Sequence, residues 1–216
     1  MQNQAGFKVS ADEMDKVDQY VILNPSVDTV WFGTPAVGTA SQQKALVMTN
    51  IRADYPRNVV AGVATGAGTA HGGTMDINGK DQFGNTITES ITIGTAAAGG
   101  TVAGTKIFAS VSSGTFSHTS DSVGNGTAGL GVAIGTSTTL QHLFGLPDKI
   151  GGTSDVKSLV WINNGTSTTV NGGTFGAYIG TANHTFKGTA IVAVTDRFVV
   201  TLRSSFDAGD KNTHSL

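Results

Sequence analysis

From Thr86 to Ile93 the chain alternates almost without fault, and that regularity constrains the fold more than any other stretch. Ile87, Glu89, Ile91 and Ile93 fall on one face, with Thr86, Thr88, Ser90 and Thr92 on the other. A period of two is the signature of a half-buried antiparallel strand. Upstream, Asp81-Gln82-Phe83-Gly84-Asn85 supplies turn chemistry, because Gly and Asn accept positive φ and an Asp side chain bonds back to nearby backbone. Residues 74–93 therefore predict a hairpin with one face toward a core.

The rest of the chain supports the same class. Its 216 residues include 30 glycines and as many threonines, while glutamate occurs at Glu13 and Glu89 alone. Helix formers are scarce and β-branched residues abundant, so strands and turns are the default. With 38% hydrophobic and 13% charged residues, the expected core is thin, as between two sheets. A formal net charge of −2 and many Val, Ile and Thr residues speak against disorder, which favours high charge and few β-branched side chains. So little charge protects sheet edges poorly and suggests that a partner covers them. The expected fold is mainly β, an antiparallel β-sandwich of Ig-like or jelly-roll-like type with an extended N-terminal arm.

Several function classes are disfavoured. The chain has no cysteine, hence no disulfide framework or thiolate metal site. Near-neutral charge without a basic run argues against nucleic acid as a partner. No apolar run approaches a bilayer-spanning length, and the first residues lack a signal-peptide pattern, so no membrane role is expected. Matches to Asn-x-Ser/Thr at Asn125, Asn164 and Asn183 are expected by chance in so threonine-rich a sequence.

Along the chain, residues 1–30 read as an arm. Ser10 and Glu13 have capping-box spacing, so a helical turn or an extended segment are both open there, and Asn24-Pro25 ends any helix. A β-sandwich domain is expected over 31–205, either one sandwich or two packed β units with a break near 147–152, and 206–216 is a polar tail. Candidate strands are 27–32, 45–51, 58–64, 74–78, 86–93, 106–112, 131–136, 156–163, 174–179, 188–194 and 197–204. Asn163-Asn164-Gly165 is a hairpin turn signal. The small-residue stretch 94–104 and residues 118–129 read as surface loops. No internal repeat is apparent.

Motifs that would carry chemistry fare poorly. Gly124-Asn-Gly-Thr-Ala-Gly129 fits G-x-G-x-x-G, but a strand-like Leu130-Gly-Val-Ala-Ile follows where a dinucleotide site needs a helix. His71, His118, His142, His184 and His214 have no zinc-ligand spacing. His118-Thr-Ser-Asp121 lacks a nucleophile elbow and reads as a solvated loop. Asp76, Asn78 and Asp81 resemble a calcium loop, yet Lys80 stands where an oxygen ligand is required, which leaves an ordinary polar turn. No catalytic residue, metal site or cofactor is expected, and the chain does not read as an enzyme. Glu89 is the exception worth keeping, since an unpaired carboxylate in a core is costly. Either the sheet face is open there, or Glu89 pairs with Arg52, Arg57 or a neighbouring subunit. Trp31, Phe32, Tyr55, Trp161, Phe175 and Tyr178 are candidate core or interface anchors.

Taken in order, several segments resemble a group of tailed-bacteriophage virion proteins. They are Tyr55-Pro-Arg-Asn-Val-Val, the hairpin 76–93 with Gly-Asn-Thr-Ile-Thr-Glu-Ser-Ile-Thr-Ile, Lys106-Ile-Phe-Ala-Ser-Val, Gly131-Val-Ala-Ile-Gly-Thr and Phe144-Gly-Leu-Pro147. The segment 188–203 is similar to the final hairpin of such proteins, so the resemblance spans roughly 55–205. It implies a non-enzymatic decoration (cement) protein on the virion surface, made in a host cytoplasm. Its implied partners are the major capsid protein and other copies of itself, as a homotrimer. Candidate contacts with shell or copy are Phe7, Val21, Ile22, Trp31, Phe32, Arg57 and Glu89. Other readings are a tail, collar or head-tail connector component, or a receptor- or glycan-binding adhesin using Trp161 or Tyr178.

Overall fold

Alternating β-branched residues with glycine- and asparagine-rich breaks should build sheets and little else, and the architecture follows that rule. A computed structural model describes residues 16–23, 28–35, 42–64, 71–96, 100–119, 127–132, 142–146, 156–163, 166–170, 179–180, 184–188 and 197–204. Among these there are strands and no helix. In chain order the strands are β1 (Lys16–Leu23), β2 (Asp28–Thr34), β3 (Gln43–Ala45), β4 (Val47–Met48), β5 (Arg52–Ala64), β6 (His71–Lys80), β7 (Thr86–Ala96) and β8 (Gly100–His118). They continue with β9 (Thr127–Val132), β10 (His142–Gly145), β11 (Val156–Asn163), β12 (Thr166–Val170), β13 (Ile179–Gly180), β14 (Thr185–Gly188) and β15 (Arg197–Ser204).

They form two antiparallel sheets. The larger, of 11 strands, runs β13-β14-β10-β5-β8-β6-β7, with β2, β3, β4 and β9 paired off that path. It curls into a half-barrel, consistent with a β-sandwich. The smaller has the order β1-β15-β11-β12. An N-terminal strand thus completes a sheet otherwise made of C-terminal ones, and all eight residues of β1 pair in register with β15. Residues 16–23 of the expected arm are therefore a paired strand, while residues 1–15 and 205–216 lie outside the described residues. The expected Asn163-Asn164-Gly165 turn is bracketed by the pair Asn163↔Thr166.

The hairpin that opened the sequence argument lies at the end of the large sheet. Ile77 pairs with Glu89 and Met75 with Ile91. Met75, Ile77, Ile91 and Ile93 join Phe32, Phe108, Val111 and Phe116 in one core. Full burial of each such side chain contributes about 1.5–3 kcal/mol. The smaller sheet buries Ile22, Leu159 and Val200. Its Tyr20 lies near enough to Asp54 and Tyr55 of β5 for their charges to act on its hydroxyl.

Three expectations need correction. The stretch 94–104 is not one surface loop, because β7 runs to Ala96 and β8 begins at Gly100. Small side chains there permit close approach: a Cβ on Gly100 would sit 3.3 Å from Ile93 Cγ2. The segment 118–129 is likewise strand at both ends, with His118 closing β8 and Thr127 opening β9. His118 is buried rather than solvated. It follows Gly114 and Phe116 on the inward side of β8, and its ring lies 6.2 Å from that of Phe116.

Candidate functional site

Strand β8 spans 19 residues and pairs with three strands, its first half with β5 and its second half with β6 and the short β3. Its ladders to β5 and β6 are interrupted by bulges, which bend the strand. Opposite β5, the pairs Asn58↔Ile107 and Val60↔Ala103 set four residue steps on β8 against two on β5. The extra residues, Gly104 to Lys106, leave ladder positions that need other partners.

Two side chains provide them. Glu89 Oε1 accepts hydrogen bonds from the Thr105 amide at 2.6 Å, the Lys106 amide at 3.2 Å and the Thr105 hydroxyl at 3.1 Å. From the other side, buried Asn58 donates Nδ2 to the Gly104 carbonyl at 2.8 Å, and its Oδ1 accepts from the Leu143 amide of β10 at 2.9 Å. A Cβ on Gly104 would lie 2.5 Å from Glu89 Oε2, so glycine is what lets the carboxylate close on the bulge. Lys106 Nζ donates to the Thr88 carbonyl at 2.6 Å. Side chains thus join the end strand β7 to the first half of β8. Glu89 is half-buried, and its partners are backbone amides and a hydroxyl rather than Arg52 or Arg57.

A second polar group is built around Pro56. Between the pairs Arg52↔Ser110 and Arg57↔Phe108, β5 takes five residue steps against two on β8. Proline has no N–H to give the ladder, and the strand bulges there. The excursion turns Asp54 back onto Arg57, whose Nη1 donates to both carboxylate oxygens at 3.2 Å. The Arg57 guanidinium is fully buried and stands 4.9 Å from the centre of the Phe144 ring. Phe144 in turn stacks on Phe186 and meets Tyr55 edge-on. Burial lowers the Arg57 pKa from its ordinary value, and the Asp54 carboxylate opposes that shift. Burial, with the nearby Tyr55 and Asp54, pushes the Tyr20 hydroxyl up to about 12.

A third feature faces outward. Segment 47–52 runs antiparallel beside β2, with Gly33↔Met48 and Thr34↔Val47 paired. Trp31 ties the two together, its indole N–H donating to the Arg52 carbonyl and its own carbonyl accepting from Asn50 Nδ2. Val47 and Ile51 on this segment are 70% and 61% exposed, and Val30 beside Trp31 is 42% exposed. Exposed branched side chains around an aromatic anchor are the composition of a contact surface.

The contact candidates separate accordingly. Ile22, Phe32 and Arg57 are buried within the chain and offer no surface as they stand. Val21 is 38% exposed on the other side of β1, Trp31 is half-buried at the apolar strip, and Phe7 lies outside the described residues. Sequence reasoning missed Asn58, Lys106, Val47 and Ile51. Asp81 accepts from the amides of Phe83 and Asn85, as an ordinary polar turn should. Among the described residues no group of three or more His, Asp or Glu could hold a metal ion, and no helix is long and apolar enough to cross a membrane. No protein-family model matches the chain, and no curated protein matches its sequence.

Proposed function

We propose that this chain is a capsid decoration subunit of a tailed bacteriophage, a homotrimer that binds the shell of the major capsid protein and stiffens it against internal pressure. The observation that carries the reading is the exposed apolar strip of Val47 and Ile51 beside Trp31 on the large sheet. Such a surface gains by being covered, and a protein lattice offers many copies of a cover. Most of the resembling segments lie in one sheet, while residues 197–203 of the segment 188–203 fall in β15 of the smaller one. Tyr55 to Val60 lies in β5, residues 76–93 in β6 and β7, Lys106 to Val111 in β8, and Phe144-Gly145 in β10, all strands of the large sheet.

The test is the copy number and position of the chain in purified particles, read by whole-virion cryo-EM. Hundreds of copies spread over the head are expected. A few copies at one vertex would overturn decoration and favour the tail or connector reading. A Val47→Asp/Ile51→Asp double variant should fold and lose head binding. Undiminished binding by that variant would remove the strip from the argument.

A further inference from the structure

Strands β7 and β8 are consecutive in the chain and lie side by side, yet among the described residues no backbone ladder joins them. β7 pairs with β6, and β8 with β5, β6 and β3. Their alignment is nonetheless that of a hairpin. A Cβ on Gly100 would sit 3.3 Å from Ile93 Cγ2, Gly104 abuts the Glu89 carboxylate, and Lys106 reaches the Thr88 carbonyl. As β8 ascends from Gly100 to Lys106, the residue opposite it on β7 descends from Ile93 to Thr88, which is antiparallel order.

Side chains take the place of the ladder. Glu89 Oε1 accepts from the Thr105 amide at 2.6 Å and the Lys106 amide at 3.2 Å. Consecutive amides of a regular strand point to opposite edges, so one carboxylate takes both only because β8 bulges there. In return Lys106 Nζ donates to the Thr88 carbonyl at 2.6 Å. A circuit closes as a result: β7 is laddered to β6, β6 to the second half of β8, and the first half of β8 returns to β7 through these side chains. Water reaches both latching groups, since Glu89 is half-buried and Lys106 exposed. A few such bonds open at lower cost than a buried ladder does.

We infer that the seam between β7 and the first half of β8 is the line along which the half-barrel opens, latched by Glu89 and Lys106 and hinged on the β6–β8 ladder. Opening parts Gly100 from Ile93 and frees the Thr105 and Lys106 amides and the Thr88 carbonyl in a single gap. The seam does not depend on the decoration reading.

Hydrogen exchange of the full-length chain across a urea series is the test. The reference is the Val111 amide, which lies on the same strand and is bonded to the Ile51 carbonyl at 2.8 Å. The Thr105 and Lys106 amides should exchange faster than Val111 and with a shallower urea dependence, because a local opening exposes little surface. Glu89→Ala should speed exchange at both by about 10- to 100-fold relative to Val111, the loss expected for hydrogen bonds to a charged group. Glu89→Gln keeps an acceptor oxygen and should fall between. Seam amides that match Val111 in rate and urea slope would mean that the seam parts only when the whole chain unfolds, which overturns the inference. Amides already unprotected in the wild type would overturn it too, as would a Glu89→Ala chain in which both keep their rate relative to Val111.

Discussion

Asn58 is the side chain on which the bend of β8 should depend most. It is 1% exposed and binds the Gly104 carbonyl through Nδ2 and the Leu143 amide through Oδ1. Replacing it by leucine keeps most of the volume and strips both partners at once. Each buried group so orphaned costs about 1–3 kcal/mol, so the pair sums to roughly 2–6 kcal/mol. That is a large share of the ~5–15 kcal/mol typical of a folded domain. For a chain of this length each kcal/mol lowers Tm by about 2–4 °C, so a mid-range loss shifts it by roughly 8–16 °C. Urea unfolding followed by tryptophan fluorescence, with calorimetry, reads both quantities. Asn58→Asp adds a check on mechanism. A neutral carboxyl can donate to Gly104 and accept from Leu143 as the amide does, whereas the carboxylate cannot donate. The folded state then holds the proton more tightly than the unfolded chain, and the folded pKa is raised. The variant should approach wild-type stability below about pH 4 and lose it as pH rises through the folded pKa. If Asn58→Leu unfolds within about 0.5 kcal/mol of the wild type, these two bonds do not hold the bulge and the reasoning is refuted.

Three further outcomes follow from the same geometry. Gly104→Ala should displace the Glu89 carboxylate from the Thr105 and Lys106 amides, so its cost and that of Glu89→Ala should overlap; a double-mutant cycle that adds fully would contradict the shared cause. Lys106→Met should change unfolding free energy by less than about 1 kcal/mol, since the exposed ammonium makes one bond, yet promote aggregation by unshielding β7. Light scattering on heating would show it, and unchanged onset would mean the edge is protected otherwise. With Tyr20 raised to about 12 against an ordinary value of 10.0, the folded state favours the neutral phenol. That stability is fully present below pH 10 and lost as pH climbs from about 10 to 12. Tyr20→Phe should flatten this alkaline loss in a Tm-versus-pH series, and an unaltered slope would exclude Tyr20 as its source.

What the sequence made legible was periodicity, and where periodicity breaks the reading stopped. β7 alternates unbroken from Thr86, so its two faces follow from the sequence, as do the bounds of the strand Arg197 to Ser204. β8 was read as seven residues of its 19. Its buried positions are Gly104, Ile107, Phe108, Val111, Gly114, Phe116 and His118, a spacing that keeps no single period of two across the bulges. A pattern that changes phase twice in one strand looks like a loop, and a buried histidine after the second change looks like a solvated one. The same limit hid the partner of Glu89. Carboxylates are sought by charge, and charge pointed to Arg52 and Arg57. A bulged strand offers amides, which every residue but proline carries, so no residue type marks the site. Asn58 was hidden because an asparagine among valines reads as a strand start.

The bulge in β8 and the outer edge of β7 turn on one physical fact: a backbone group removed from its ladder must be satisfied by something else. At Gly104 to Lys106 the chain satisfies it internally, with Glu89, Asn58 and glycine's missing Cβ holding the bulge of β8. At Thr88 it satisfies an edge carbonyl with Lys106.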